Sequence, residues 1–136
     1  MTSNSTSHSL ELYKTIFENS PDAILLTLPS YQIFEINSAF KDMFGYSKAD
    51  ILDKNLNDVF PEVSPLLKEL ESLKVPLETF IPSKNGENVF CQVSILNLKE
   101  NGSELVVIFI KDLRTAQETE INILKAKIKV LATQVY

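Results

Sequence analysis

Residues 77–112 read LETFIPSKNGENVFCQVSILNLKENGSELVVIFIKD, three runs rich in Val, Ile and Phe that meet at Asn85-Gly86 and Asn101-Gly102. β-Branched and aromatic residues suit the pleated, half-buried surface of a strand. Asn-Gly is the pair that best tolerates the positive φ angles of a tight hairpin turn. Two such joints in succession predict an antiparallel three-strand meander, with strands over Leu77–Ser83, Asn88–Leu98 and Glu104–Asp112.

Upstream the pattern is mixed. The polar stretch 1–9, rich in Ser and Thr, reads as a mobile leader that buries nothing. Leu10, Tyr13 and Phe17 share one helical face, so a short amphipathic helix is expected over 10–18, broken at Asn19-Ser20-Pro21. Ala23–Leu28 and Gln32–Ile36 read as strands joined by a turn at Leu28-Pro29-Ser30-Tyr31. Asn37 is placed to cap a helix carrying Phe40, Met43 and Phe44, which Gly45 closes. Ser47 and Asp50 have capping-box spacing, and Asn55–Phe60 reads as one more turn. Ser64 is expected to cap a helix with Pro65 at its first position and a buried stripe of Leu66, Leu67, Leu70 and Leu73. Helix, two strands, short helices, three strands and a last helix make an α+β domain with helices on one face of an antiparallel sheet.

Residues 113–136 contain neither Gly nor Pro. As a helix they would span roughly 35 Å. Ile121, Leu124, Ile128, Leu131 and Val135 recur at steps of three and four, a heptad seam with β-branched residues at a and Leu at d. That choice favours a parallel two-stranded coil, and Glu120 at g with Lys125 at the following e is an attractive cross-chain pair. Ile123, Ala126 and Val130 widen the apolar face, as packing of the helix on its own sheet would also require. The pattern is still running at Tyr136, as expected for a piece of a longer polypeptide.

The whole chain has 136 residues, enough for one compact domain. Its formal net charge of -5 argues against nucleic acid and anionic membrane surfaces as partners. No run approaches the ~20 apolar residues that a membrane span needs, and the opening lacks the regions of a signal peptide. With a single cysteine, Cys91, no internal disulfide can form, which fits a cytoplasmic location.

Phe17-Glu18-Asn19-Ser20-Pro21-Asp22-Ala23-Ile24, Ile36-Asn37-Ser38-Ala39-Phe40, Phe44-Gly45-Tyr46-Ser47, Asn85-Gly86 and Asp112-Leu113-Arg114 together resemble a PAS sensory domain. The resemblance covers about residues 10–115, and its specificity lies in the order and spacing of the pieces. It implies a five-stranded antiparallel sheet with short helices on one face, a domain over residues 10–113, and a long C-terminal signalling helix over residues 114–136. It implies a regulatory role in which Asp112, Leu113 and Arg114 relay a change from the domain to the outgoing helix. The heptad seam makes a second, parallel copy of the chain the expected partner, and the resemblance implies a downstream output domain such as a histidine kinase or a cyclic-dinucleotide enzyme. Three positions depart from the family pattern. Leu28 and Tyr31 stand where Asp and Gly are frequent, and Arg114 replaces the threonine of the Asp-Ile-Thr signature.

The cofactors of such sensors each demand particular side chains. Haem-binding members hold iron through a histidine on the helices before the third strand, and residues 47–74 contain none. The photoreactive flavin members need a cysteine where Leu56 stands. A small apolar ligand, or a flavin that forms no adduct, stays open. Without a histidine beyond His8, no Ser-His or Cys-His nucleophile pair can be built, so no enzyme is expected in this chain. The interior expected to close or to line a pocket comprises Phe40, Phe44, Leu56, Val59, Phe60, Leu67 and Leu70, facing Val93, Ile95, Val107 and Phe109 on the sheet. A ligand-free interaction and dimerisation scaffold is the alternative reading.

Overall fold

The computed structural model describes the backbone of residues 2–135, and their side chains except those of residues 2–9, 100, 115–120, 122 and 133–135. A first helix, α1 (Thr2–Asn19), leads into a hairpin of β1 (Ala23–Thr27) and β2 (Ile33–Ile36). Short helices follow: α2 (Ser38–Phe44), α3 (Lys48–Ile51), α4 (Leu56–Val59), a 3-10 turn (Pro61–Val63) and α5 (Ser64–Leu73). Then come β3 (Leu77–Pro82), β4 (Asn88–Glu100), β5 (Ser103–Asp112) and α6 (Arg114–Val135). The strands form one antiparallel sheet in the order β2-β1-β5-β4-β3.

The meander forms as the sequence predicts, but its two Asn-Gly joints are built differently. Asn101 and Gly102 take φ angles of 51° and 81°, the pair of positive values that a two-residue turn between Glu100 and Ser103 requires. At the other joint only Gly86 is left-handed, at φ 88°. Gly86 N–H donates to the Ser83 carbonyl and Ser83 N–H to Glu87, which makes a three-residue loop with the glycine after a tight turn.

Local capping follows residue chemistry closely. Asn37 caps α2 by accepting from Phe40 N–H, and Gly45 ends it at φ 79°. Ser47 and Asp50 form a reciprocal capping box on α3, and Asn55 caps α4.

Five expectations are corrected. α1 begins at Thr2 and not at Leu10; once a helix is nucleated over Leu10–Phe17, each added residue costs little, even for Ser and Thr. Ser64 is not a cap: it already has helical angles (φ −53°, ψ −50°), because the 3-10 turn runs directly into α5. Leu67 and Leu70 are buried, but Leu66 is half-buried and Leu73 is 58% exposed. At ~100° per residue, Leu73 lies roughly 90° round from the line of Leu67 and Leu70. In β2, a bulge against β1 turns both Ile33 and Ile36 inward, so simple alternation over Gln32–Ile36 fails.

The last correction concerns β5. Val93 pairs with Ile110 and Ile95 with Ile108, so Ile108 and Ile110 are the residues that share the helix-covered face. Val107 and Phe109 point to the opposite face, beside Leu26 and Ile24. Leu105–Ile110 is apolar at every position, and such a run carries no alternation to say which side faces in.

The core lies between the helices and this inner face. Phe40, Phe44, Leu25, Ile33 and Ile36 are wholly buried, and Leu56, Phe60, Leu67 and Leu70 nearly so. Among the described residues, no helix is long and apolar enough to cross a membrane.

Candidate functional site

Two places concentrate what the sequence singles out: the aromatic interior and the junction where the outer helices join the domain. In the interior, α2 projects Phe40 and Phe44 toward Phe60, the residue that closes α4. Ring centroids are 5.1 Å apart for Phe40–Phe44, 6.1 Å for Phe40–Phe60 and 5.6 Å for Phe44–Phe60. Tyr46 closes the group edge-on to Phe60 at 5.6 Å. These spacings and tilts are those aromatic quadrupoles favour. Of the eleven interior candidates, Phe40, Phe44, Leu56, Phe60, Leu67, Leu70 and Val93 belong to the buried cluster. Val59 and Ile95 pack against it half-buried, while Val107 and Phe109 are excluded by their face. Ile108 and Ile110, missed from sequence, take their place; only the pairing register could have pointed to them.

Cys91 sits on the same inner face, fully buried. Burial pushes its thiol up to about 12, and the nearby Asp112 carboxylate adds to the effect. Its Sγ lies 3.6 Å from the Thr79 carbonyl, a weak donor contact. The folded protein should therefore resist thiol reagents at pH 8. A three-unit rise leaves roughly a thousandfold less thiolate than an unperturbed cysteine would have. Ellman's reagent is expected to label the folded chain at least about a hundredfold more slowly than the urea-unfolded chain. Equal rates would show that the strand opens readily.

At the junction, Asn37 does more than cap α2. Its Oδ1 accepts from Ile24 N–H (2.9 Å) as well as from Phe40 N–H (3.1 Å). Its Nδ2 donates to the carbonyls of Phe17 (2.9 Å) and Asp22 (3.0 Å). One side chain thus ties the end of α1, the start of β1 and the start of α2. Ser38 Oγ adds a hydrogen bond to Glu18 Oε2 (2.8 Å), and Lys48 Nζ lies 2.8 Å from Glu35 and 3.8 Å from Glu18.

The outgoing chain is clamped nearby. Leu113 N–H donates to the Phe90 carbonyl at 2.9 Å, extending the β4–β5 ladder by one bond. Arg114 Nε and Nη2 reach the Asp112 carboxylate at 3.0 and 2.7 Å, and Arg114 N–H caps onto Asp112 Oδ1 at 3.0 Å. The guanidinium holds the Asp112 carboxyl below the usual carboxylate range. The arginine that departs from the family pattern thus turns the strand-to-helix step into a bidentate clamp. A groove of about 470 Å³ runs between this clamp, the end of α1 and the start of α2, lined by Glu18, Ser38, Asp42, Asp112 and Arg114 among others.

Tyr31 adopts φ 70°, a left-handed angle unusual for a tyrosine, and its hydroxyl donates to the Glu71 carboxylate on α5. Burial and that carboxylate raise the Tyr31 hydroxyl above its ordinary range. The turn is thereby fastened across the sheet end to the helical side.

The seam residues of α6 stand clear of the domain. Ile121, Leu124, Ile128 and Leu131 are 43–65% exposed, as are Ile123 (49%) and Val130 (56%). Packing of these side chains on the chain's own sheet is therefore not what the structure has. The Val135 side chain lies outside the described residues.

The family model described as "PAS domain" matches residues 21–115, and the chain belongs to that family. Its fold is shared with a PAS domain from a two-component sensor histidine kinase (18% identity, TM-score 0.68), the match covering 79% of this chain and 98% of that one. The PAS domain of an HTR-like protein from Haloarcula marismortui is as similar (19% identity, TM-score 0.68; 82% and 97% covered). An ethanol-complexed PAS domain of a LuxR-family transcriptional regulator from Burkholderia thailandensis also aligns (20% identity, TM-score 0.61; 74% and 96% covered). A 73-residue stretch, 52% of this chain, is 34% identical to the shutoff alkaline exonuclease of Saimiriine herpesvirus 2. That match spans 15% of the viral protein, too little to carry its activity here.

Proposed function

We propose that this PAS domain homodimerises in parallel through α6 and passes its state along that helix to an output domain, such as a histidine kinase or a cyclic-dinucleotide enzyme. The carrying observation is the uncovered heptad of Ile121, Leu124, Ile128 and Leu131, which starts two turns after the Asp112–Arg114 clamp. A strand displaced by a change in the interior would move the clamp, and with it the first turn of α6. Similarity in fold to domains of sensor histidine kinases supports the choice of output. The domain itself is read as non-enzymatic and cytoplasmic, working without nucleic acid, membrane, haem or a flavin adduct.

Sedimentation equilibrium of the whole chain tests the seam. Leu124→Ala with Leu131→Ala is expected to raise the dimer dissociation constant about a hundredfold, the effect of ~3 kcal/mol lost from two seam leucines. An unchanged constant, or a monomer at every concentration, removes the seam reading.

The second reading, a ligand-free scaffold, draws on the aromatic rings that close on one another behind α2. An absorption spectrum and native mass spectrum of freshly purified protein separate the two. Flavin or a small apolar ligand carried through purification counts against the scaffold, whereas a bare chain mass supports it.

A further inference from the structure

A glycine follows an asparagine twice in the chain, at Asn85-Gly86 and at Asn101-Gly102. Such a pair carries a chemistry of its own. The asparagine side-chain amide carbon is an electrophile, and the next backbone nitrogen can close a five-membered ring on it. Glycine leaves that approach open because it has no β-carbon. The reaction then depends on how freely the two groups move, and here the two turns differ.

Asn85 is held. Its Oδ1 accepts from Ser83 Oγ and from Glu87 N–H (3.0 Å). Gly86 N–H donates to the Ser83 carbonyl at 2.9 Å, so the nitrogen that would attack keeps its proton in a bond. The loop is also fastened to the helical layer. Lys84 N–H donates to the Phe44 carbonyl at 2.8 Å, and Lys84 Nζ lies 2.9 Å from Asp50.

Asn101 has none of these restraints. It and Gly102 are both exposed. Among the described residues its side chain has no hydrogen-bond partner, and Gly102 N–H has no backbone acceptor. The turn also tops a projecting arm. β1 pairs with β5 no further than Val106, and β3 pairs with β4 no further than Val93. Residues 98–105 are therefore a ribbon of two strands with no third beside them. A two-stranded ribbon is marginal in water, so opening at its tip costs little. Opening lets the Asn101 carboxamide swing over the Gly102 nitrogen.

We propose that Asn101 is a self-modification site, converted to isoaspartate and aspartate as the protein ages. Gly102 N–H loses its proton to hydroxide and the nitrogen bonds to Asn101 Cγ. The Cγ–Nδ2 bond breaks, and the departing nitrogen takes a proton from water and leaves as ammonia. Water then opens the succinimide. Cleavage at Cγ gives aspartate, and cleavage at the main-chain carbonyl gives isoaspartate. Water is the sole co-reactant, and nothing is oxidised or reduced. Isoaspartate adds one main-chain carbon to a loop that joins the paired Glu100 and Ser103, and either product adds a carboxylate close to the Lys99–Glu104 ion pair. The Asp112–Arg114 clamp lies at the other end of this ladder, where Cys91 pairs with Asp112, and keeps its register.

The test ages the whole chain at mildly alkaline pH and body temperature, then digests it and follows both asparagines by mass spectrometry. Asn101 is expected to convert at least about tenfold faster than Asn85 in the folded chain, and within about threefold of it in urea. An isoaspartyl methyltransferase with labelled S-adenosylmethionine reads the same event. It should label the aged Asn101→Gln chain at least about fivefold less than the aged wild type, with circular dichroism confirming an unchanged fold. Equal rates in the folded chain, or faster loss at Asn85, overturn the inference. Undiminished labelling of Asn101→Gln does the same. A tenfold gap that persists in urea also overturns it, because the neighbouring sequence and not the open arm would then select Asn101.

Discussion

Asn37→Ala is expected to cost about 3–4 kcal/mol of folding stability, read as a lowered urea midpoint with an unchanged slope. The magnitude comes from the inventory of what is left behind. A fully buried side chain engages two N–H groups, of Ile24 and Phe40, and two carbonyls, of Phe17 and Asp22. Alanine leaves all four without that partner, and a buried orphan costs about 1–3 kcal/mol. Asn37→Asp is not a conservative change here. It keeps the oxygen that accepts, but sets a second carboxylate oxygen against two carbonyls where an NH2 stood. Its deficit should be close to that of alanine at pH 7. It should narrow as pH falls and the acid protonates, because an O–H can again donate to one carbonyl. A loss below about 1 kcal/mol for Asn37→Ala would mean that water replaces the side chain.

Phe40→Ala should be of similar size, about 3–5 kcal/mol. Phe40 is wholly buried and touches two other rings, at 5.1 and 6.1 Å between centroids. Its removal takes away transfer energy and leaves a cavity in a wall that cannot easily collapse. The value also bears on ligand binding. In an interior packed solid, the surrounding rings lose contacts and the full cost is paid. Around an open pocket, Phe40 would have fewer partners to lose and the cost would fall under about 2 kcal/mol. Chemical denaturation of the variant, with and without hydrophobic small molecules, therefore distinguishes a closed core from a receptive one.

Local chemistry made much of the fold legible before any coordinates. The meander follows from Asn101-Gly102 and the β-branched runs, α2 from Asn37 and Gly45, and α3 from Ser47 with Asp50. These signals succeed because each is a short-range hydrogen-bonding or φ preference that needs no knowledge of the partner. What failed depended on partners. The inward side of β5 is settled by Ile95 and Val93 across the ladder, not by anything within Leu105–Ile110. The inward turn of both Ile33 and Ile36 depends on a bulge against β1. Ser64 lost its capping role because Pro61 had already started a turn upstream. For the candidate site, the aromatic residues could be named from spacing alone. The double role of Asn37, gripping α1 as well as capping α2, appears only when Phe17 and Asp22 are brought beside it.

The strand order has a consequence for the birth of the protein. β1, among the first strands made, sits between β2 and β5, so one of its edges awaits residues 106–110 at the far end of the domain. A nascent chain emerging from the ribosome can close the first hairpin early, but the sheet is split until nearly the whole domain has been synthesised. Contacts so distant along the chain slow folding and leave an apolar edge open meanwhile. Stalled or shortened translation products ending before β5 would thus present one edge of β1 unpaired, a ready target for chaperones or for misassembly.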